Sequence, residues 1–151
     1  MKASRIMTVN VTCITPETSL GQAQWLMKQL RVRHLPVVSQ GVLCGILSDR
    51  DLLAHGRLED GELVLPEQAS VYVMTLHPIT CRAGTPVSQL AELMLEHRID
   101  SLPIVNSFNE LVGLVTSSDL LALLREPEHL SEELPFSFQL RTADELMMPA
   151  A

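Results

Sequence analysis

The chain has 151 residues, of which 46% are hydrophobic, 19% charged and 3% aromatic, and its formal net charge is −7. This length suits one domain with an aliphatic core, and the composition excludes a disordered chain. The negative charge speaks against broad nucleic-acid binding, which needs Lys and Arg against phosphates, and no uncharged apolar run approaches the ~18 residues of a membrane span.

An internal repeat organises the sequence. Residues 7–38 align without a gap on residues 74–105, with ten identities in 32 positions, and one extra residue then shifts the match to 45–54 on 113–122. Two half-size units bury their apolar faces against each other, and the seam between them is a natural ligand cleft. We expect a first unit at 1–55, a linker at 56–70, a second unit at 71–124 and a C-terminal tail at 125–151.

Each copy is predicted to fold as strand, helix, strand, strand, helix. Short β-favouring runs at Val9–Ile14 and Ile79–Arg82 open the copies. Apolar residues then recur at helical spacing, and Thr18 and Thr85 are expected to cap these helices. A proline-bearing strand follows each helix, since proline forbids helix continuation.

The partner strands of the two hairpins carry Gly45 and Gly113. A glycine inside a strand often marks close approach by a ligand or by another backbone. The segments Ser48–Asp51 and Thr116–Asp119 come next and fit the S/T-x-x-D pattern of a helix start. These two corners are therefore predicted at equivalent places in the two units.

The regions outside the copies differ in character. The segment Gly56–Ser70 is polar and is interpreted as a linker with room for a short strand at Leu63–Leu65. In the tail, Phe136 and Phe138 alternate with polar residues. This alternation predicts docking on the chain's own body or on a partner chain.

The cysteines and histidines suggest no reactive centre. Cys13, Cys44 and Cys81 form no C-x-x-C pair and are interpreted as small buried hydrophobes. Reduced cysteines fit a cytoplasmic location, and no signal peptide is visible. The histidines are scattered and no nucleophile motif occurs, so we expect neither a metal site nor an enzyme.

The hydroxyl and carboxylate corners carry the chemistry. Capping alone explains each of Ser48/Asp51 and Thr116/Asp119. Their recurrence after a glycine-bearing strand favours a ligand, because a helix start offers N–H groups to an anion. An adjacent aspartate can accept two hydrogen bonds from ribose hydroxyls. The pattern suits a nucleoside phosphate.

Cationic residues differ between the copies. Arg33, followed by His34, is a candidate phosphate partner through its planar fork, although a solvated cation at a helix end is the alternative. The second copy has Asp100 and Ser101 there. Asp100 would repel phosphate, so the two clefts should not be equivalent. Arg50 lies where the helix dipole disfavours a cation, which indicates an anion contact.

These features resemble the CBS domain family, named after cystathionine β-synthase. The resemblance rests on Met74-Thr75, Ile99–Val105, Leu111–Leu121 and their first-copy counterparts, and it covers roughly residues 3–54 and 71–124. It implies an α+β fold in which two tandem β-α-β-β-α units pack with pseudo-two-fold symmetry as a Bateman module. Two such modules commonly pair as a disk.

The resemblance also implies a regulatory ligand (AMP, ADP, ATP or S-adenosylmethionine) between the units, with no cofactor. Asp51 and Asp119 would hold ribose, and Ser48 and Thr116 would face ribose or phosphate. The other residues implied by position are Thr12, Cys13, Ile14, Ile79, Thr80 and Cys81 around adenine; Arg33, His34 and Arg50 facing phosphates in the first unit; Ser101, Ser117 and Ser118 as their neutral counterparts; and the neighbours Pro36, Asp49 and Pro103.

Two functions of different classes follow from the sequence. The first is a non-catalytic sensor that binds an adenine nucleotide and conveys the bound state to an unidentified regulated protein. The second is an assembly module without a ligand, in which the capping residues only cap. We expect a homodimer, and neither nucleic acid nor membrane as a partner.

Overall fold

The computed structural model describes residues 1–125, and the predicted aromatic segment around Phe136 and Phe138 lies outside them. The described residues form an α+β fold with two repeated units, as predicted. The helices and strands are α1 (Leu20–Leu30), β1 (His34–Ser39), β2 (Val42–Ser48), α2 (Asp49–His55), β3 (Arg57–Glu59), β4 (Glu62–Val64), β5 (Thr75–Leu76), α3 (Val87–His97), β6 (Ser101–Val105), β7 (Leu111–Thr116) and α4 (Ser117–Leu123).

Each unit packs a hairpin against its own helices. In the first unit, β1 and β2 pair antiparallel, and the alternation along β2 buries Leu43, Gly45 and Leu47. In the second unit, β6 and β7 pair in the same way. Each hairpin therefore contributes to a separate aliphatic core, and the fully buried side chains of the two cores include Leu20, Leu35 and Leu47 in one and Leu90, Leu102 and Val115 in the other.

The two units exchange their opening segments. Val73 and Met74, which begin the second repeat, belong to the first unit's core. Ala3 belongs to the second unit's core, and Met7 packs against it. The exchange joins backbones as well, because β5 pairs with β2 and Thr8 exchanges hydrogen bonds of 2.9 and 3.0 Å with Leu114.

The strand glycines make this exchange possible. A Cβ atom added at Gly45 would lie 2.7 Å from the Thr75 carbonyl oxygen and 2.7 Å from the Met74 sulfur. A Cβ atom at Gly113 would lie 2.7 Å from the Met7 sulfur. The sequence predicted close approach by a ligand or by another backbone at these glycines. At Gly45, the structure shows the backbone of the other unit.

The predicted opening strands are largely absent from residues 1–125. Within Val9–Ile14 and Ile79–Arg82, only Ile14 and Cys81 form isolated parallel bridges, to Val37 and Ile104. One more pair on the N-terminal side of each bridge would need a backbone N–H from the proline of β1 or β6, the strand that it faces. Because proline has none, the ladder stops after one residue.

The predicted helix caps are wrong by one residue. Ser19 caps α1, and its hydroxyl accepts from the Gln22 N–H, while Pro86 precedes α3 in extended geometry. The hydroxyls of Thr18 and Thr85 accept instead from the N–H groups of the residues three positions earlier, each at 3.1 Å. The threonines thus close the turn that leads into each helix.

The segment between the units contains a hairpin, β3 to β4, where one strand at Leu63–Leu65 was expected. Asp60 and Gly61 form its turn with φ of 50° and 80°, the geometry that an Asp-Gly pair favours. Leu63 and Leu65 pack against the first unit's core. This segment therefore extends a core as well as joining the units.

The cysteine interpretation is confirmed for one residue and wrong for another. Cys81 is buried, which raises the pKa of its thiol, and Cys44 is half-buried. Cys13 is exposed because its neighbour Ile14 takes the core position of that segment. Within residues 1–125, no helix is long and apolar enough to cross a membrane, and no three His, Cys, Asp or Glu side chains are grouped to hold a metal.

Candidate functional site

Two clefts lie between the units. The first, here the Asp119 cleft, has a volume of about 410 Å³ and the second, the Asp51 cleft, about 330 Å³. Both volumes fall in the usual range for small-molecule sites. The Asp119 cleft is lined by Thr8, Asn10, Val11, Thr12, Leu30, Arg31, Val32, Arg33, His34, Leu114, Thr116, Ser118 and Asp119. The Asp51 cleft is lined by His34, Ile46, Ser48, Arg50, Asp51, Thr75, His77, Pro78, Ile79, Arg98, Ile99, Asp100 and Ser101.

The clefts are built from equivalent positions of the repeat. Each combines the opening segment and helix end of one unit with the helix start of the other, so Asp119 of the second unit faces Thr12 of the first. In the other cleft, Asp51 of the first unit faces Ile79 of the second. The exchange of opening segments produces this crossing, which the sequence left open.

The two carboxylates both cap a helix and line a cleft. Asp51 Oδ2 accepts the Ser48 N–H at 2.8 Å, and Asp119 Oδ2 accepts the Thr116 N–H at 2.7 Å and the Thr116 hydroxyl at 3.0 Å. Within residues 1–125, no hydrogen bond reaches Oδ1 of either side chain. One oxygen of each carboxylate therefore holds the helix start, and the other has no hydrogen-bond partner within residues 1–125.

The N–H groups expected at the first helix start are already used. The Asp49 N–H donates to the Arg33 carbonyl at 2.9 Å, the Arg50 N–H to Asp49 Oδ1 at 2.9 Å, and the Asp51 N–H to the Ser48 hydroxyl at 3.2 Å. At α4, the Ser117 N–H likewise donates to a backbone carbonyl. An anion in the Asp51 cleft would thus depend on side chains.

The cations are divided between the clefts. Arg33 lies in the Asp119 cleft together with Arg31, and neither arginine forms an ion pair within residues 1–125. Arg50 lies in the Asp51 cleft, where its Nη2 is 3.4 Å from Asp100 Oδ2. The prediction that Arg33, His34 and Arg50 face phosphates together in the first unit is therefore corrected for Arg33 and Arg50, which line different clefts because α2 begins beside the second unit's residues.

His34, the first residue of β1, lines both clefts. Burial is the main cause that lowers the pKa of its imidazole below the ordinary 6.5, and Arg33 lowers it further. The carboxylates of Asp49, Asp100 and Asp51 act in the opposite direction. The imidazole is therefore neutral at neutral pH.

This lowered pKa predicts a pH dependence of stability. Because the unfolded chain takes up the proton first, the contribution of His34 is fully present above pH 6.5 and is lost as the pH falls below it. We expect the free energy of unfolding to fall less between about pH 7.5 and pH 5.5 in His34→Gln than in the parent. Urea unfolding at several pH values measures this, and an equal fall of the free energy of unfolding with pH in the two proteins would contradict it.

Several predicted residues lie outside the clefts. Pro36 and Pro103 are fully buried, and Ile14 and Cys81 belong to the two cores. The N–H groups of Ile14 and Cys81 donate to the carbonyls of those prolines, at 3.0 and 3.1 Å. They are therefore not free to bind the edge of an adenine ring.

The remaining predicted residues are exposed or half-buried elsewhere. Cys13 lines a separate hollow beside Trp25 on the outer side of α1. The side chains of Asp49, Thr80 and Ser117 line neither cleft. The adenine-facing prediction is thus placed at a cleft only for Thr12 and Ile79.

Sequence reasoning missed residues that line the clefts. Arg31 and Arg98 end the first helix of each unit in the left-handed conformation, each with φ of 53°, and each lines one cleft. Thr8 and Thr75 also occupy equivalent positions, and each lines one cleft. All four residues are identical between the copies, and this identity was the available signal.

The fold and the clefts define a class of protein: a tandem pair of units with two clefts built from equivalent positions of the repeat. The sequence model of the CBS domain matches residues 3–57 and 69–126. The chain belongs to the CBS domain family.

Relatives place the chain further. The CBS domain-containing protein YhcV of Bacillus subtilis is 38% identical over 118 residues, 76% of this chain and 79% of that protein. Inosine-5'-monophosphate dehydrogenase of Thermoplasma acidophilum is 32% identical over 119 residues, which are 79% of this chain and 23% of the enzyme. The chain thus spans most of the first relative and about a quarter of the second.

Solved structures with this fold include two with bound adenosine compounds. The structure of CBSX2 in complex with AMP has a TM-score of 0.74 and 26% identity, and it covers 83% of this chain and 99% of that one. The CBS domain pair of protein MJ0100, in complex with 5'-methylthioadenosine and S-adenosyl-L-methionine, has a TM-score of 0.70 and 25% identity and covers 82% and 94%.

Proposed function

We propose that the protein is a non-catalytic regulatory module that binds an adenine nucleotide in the clefts between its units. One observation carries the proposal: each cleft contains a helix-capping carboxylate whose second oxygen has no partner within residues 1–125. Such an oxygen can accept hydrogen bonds from ribose hydroxyls. The solved structures of CBSX2 with AMP and of MJ0100 with two adenosine compounds support the class of ligand.

The Asp119 cleft offers groups for each part of a nucleotide. Asp119 Oδ1 accepts from the ribose, and the opening segment around Thr12 lies beside the base. Arg31 and Arg33 supply positive charge for the phosphates, and Arg33 can do so in two-point geometry. The ligand in this arrangement is AMP, ADP or ATP, with S-adenosylmethionine as the alternative.

Regulation follows from the crossing of the units. Because each cleft takes residues from both units, a bound ligand contacts both and favours the arrangement in which they fit it together. A regulated protein that contacts both units would respond to that shift. In the dehydrogenase relative, the segment similar to this chain makes up about a quarter of the enzyme. The enzymatic activity of that relative is not proposed for this chain.

Calorimetric titration with AMP, ADP, ATP and S-adenosylmethionine tests the proposal. We expect saturable binding of at least one of them below millimolar concentration. A ligand at about 100 times its Kd should raise the free energy of unfolding by about 2.7 kcal/mol. A folded sample without binding heat or stabilisation by any of the four would favour the ligand-free assembly module instead.

A homodimer is the second part of the proposal. Leu53 on α2 and Leu121 on α4 occupy equivalent positions, and 60% and 64% of their surfaces are exposed. Trp25 on α1 and Leu95 on α3 are exposed as well. Exposed apolar side chains on each of the four α-helices within residues 1–125 support burial against a second copy.

The oligomeric state checks this directly. We expect light scattering to give the mass of a dimer for the parent and of a monomer for Leu53→Glu combined with Leu121→Glu, because two charges would be buried in the interface. Leu58→Glu, at an exposed position of the β3–β4 hairpin, is the matched control. A monomeric parent at micromolar concentration would end the dimer proposal.

A further inference from the structure

At two pairs of equivalent positions, the charge of the side chain differs between the clefts. Arg33 in the Asp119 cleft corresponds to Asp100 in the Asp51 cleft, and Ser118 corresponds to Arg50. Four other positions match closely, since the pairs Thr8/Thr75, Arg31/Arg98, Thr116/Ser48 and Asp119/Asp51 keep their chemistry. Other lining residues also differ, as at Asn10/His77 and Thr12/Ile79, but the difference in arginine and aspartate content is confined to the first two pairs, where a phosphate would lie opposite the ribose carboxylate.

These charge differences leave the Asp119 cleft with an excess of positive charge. It contains two arginines and one carboxylate, and the residue equivalent to Arg50 is the neutral Ser118. Neither Arg31 nor Arg33 has an ion-pair partner in the part of the chain that the structure describes. Both guanidinium groups are thus available to a phosphate.

In the Asp51 cleft, arginines and carboxylates are equal in number, and an ion pair joins the two units. It contains two arginines, Arg50 and Arg98, and two carboxylates. Arg50, from the first unit, pairs with Asp100, from the second, at 3.4 Å, with 76% and 32% of the side chains exposed. A pair this exposed contributes little stability, but an incoming phosphate would have to displace Asp100 from Arg50 and remain near its negative charge.

We infer that the clefts divide the ligands by charge: the Asp119 cleft takes the phosphorylated nucleotide, and the Asp51 cleft rejects it and takes an uncharged nucleoside. This inference rests on the proposed function, since each cleft uses its own helix-capping aspartate, Asp119 or Asp51, to hold the ribose. The residue at positions 33 and 100 decides the selection. Like-charge repulsion gives AMP an affinity for the Asp51 cleft at least about tenfold weaker than for the Asp119 cleft.

Reciprocal double substitutions in the full chain test the inference by calorimetric stoichiometry with AMP. The parent should bind one AMP per chain. Arg50→Ser with Asp100→Arg gives the Asp51 cleft the charges of the other cleft and should add a second AMP. Arg33→Asp with Ser118→Arg makes the opposite change and should abolish AMP binding. Adenosine should still bind the parent when AMP is saturating.

The outcomes separate this inference from the proposed function. A parent with native circular dichroism that binds none of AMP, ADP, ATP, S-adenosylmethionine and adenosine overturns the proposed function. A parent that binds two AMP molecules equally, or substitutions that leave the AMP stoichiometry unchanged, or no adenosine binding beside AMP, overturn the division of ligands alone. If the first double variant does not fold, Asp100→Asn replaces it and should strengthen AMP binding at the Asp51 cleft at least about tenfold.

Discussion

Asp119→Asn lowers the affinity of the protein for its nucleotide by about tenfold to a hundredfold, measured by calorimetry at fixed pH and salt. A hydrogen bond to a charged group contributes about 1.5–3 kcal/mol, and each 1.4 kcal/mol is about tenfold in Kd. The asparagine keeps an oxygen that can accept the Thr116 N–H, a bond of 2.7 Å in the parent. The substitution therefore removes charge at the ribose while the helix cap is retained.

Asp49→Asn is the matched control for this experiment. Asp49 also lies in the first turn of a helix and accepts a backbone N–H, that of Arg50, at 2.9 Å. It lines neither cleft, so its substitution should leave the affinity within about twofold. Equal losses in the two variants would show that the effect comes from helix starts in general and would remove Asp119 from the binding site.

Gly45→Ala lowers the free energy of unfolding by about 1–3 kcal/mol, the usual cost of overpacking. Its Cβ would lie 2.7 Å from the Thr75 carbonyl oxygen, a backbone atom held in the β2–β5 pairing. That pairing joins the two units, so relief of the clash requires them to separate. Urea denaturation of the parent and the variant measures the loss.

Two other glycines calibrate this result. Gly113→Ala should cost less, because its nearest contact at 2.7 Å is the flexible end of Met7 and the nearest backbone oxygen, of Thr8, is 3.2 Å away. Gly21→Ala in α1 meets no atom within 4 Å and should stabilise the helix by up to about 1 kcal/mol. A Gly45→Ala variant as stable as Gly113→Ala would refute the role of close backbone approach.

Local patterns were sufficient to predict most of the elements of each unit. Helical spacing, proline and the S/T-x-x-D corners depend on neighbours within a few residues, and they correctly indicated four helices, the two hairpins and the capping roles of Asp51 and Asp119. The same local chemistry failed at Val9–Ile14, because the end of that ladder depends on Pro36 of another strand.

The composition of the clefts depended on contacts between distant parts of the chain. Arg33 and Arg50 lie in one unit and are only 17 positions apart, yet they line different clefts, and Arg50 pairs with a residue of the other unit. No local pattern specifies that pairing, because it arises from the exchange of the opening segments around Thr8 and Thr75.

The duplication, most elements of each unit and the residue types available for a ligand could be predicted from the sequence alone, because repeats and capping motifs are local properties of the chain. The folded structure was needed to establish which unit completes which cleft, which cations have no ion-pair partner within residues 1–125, and which backbone donors are already used. These depend on contacts between residues far apart in the sequence, such as Thr8 with Leu114 and Arg50 with Asp100, and packing, not neighbouring sequence, selects that arrangement.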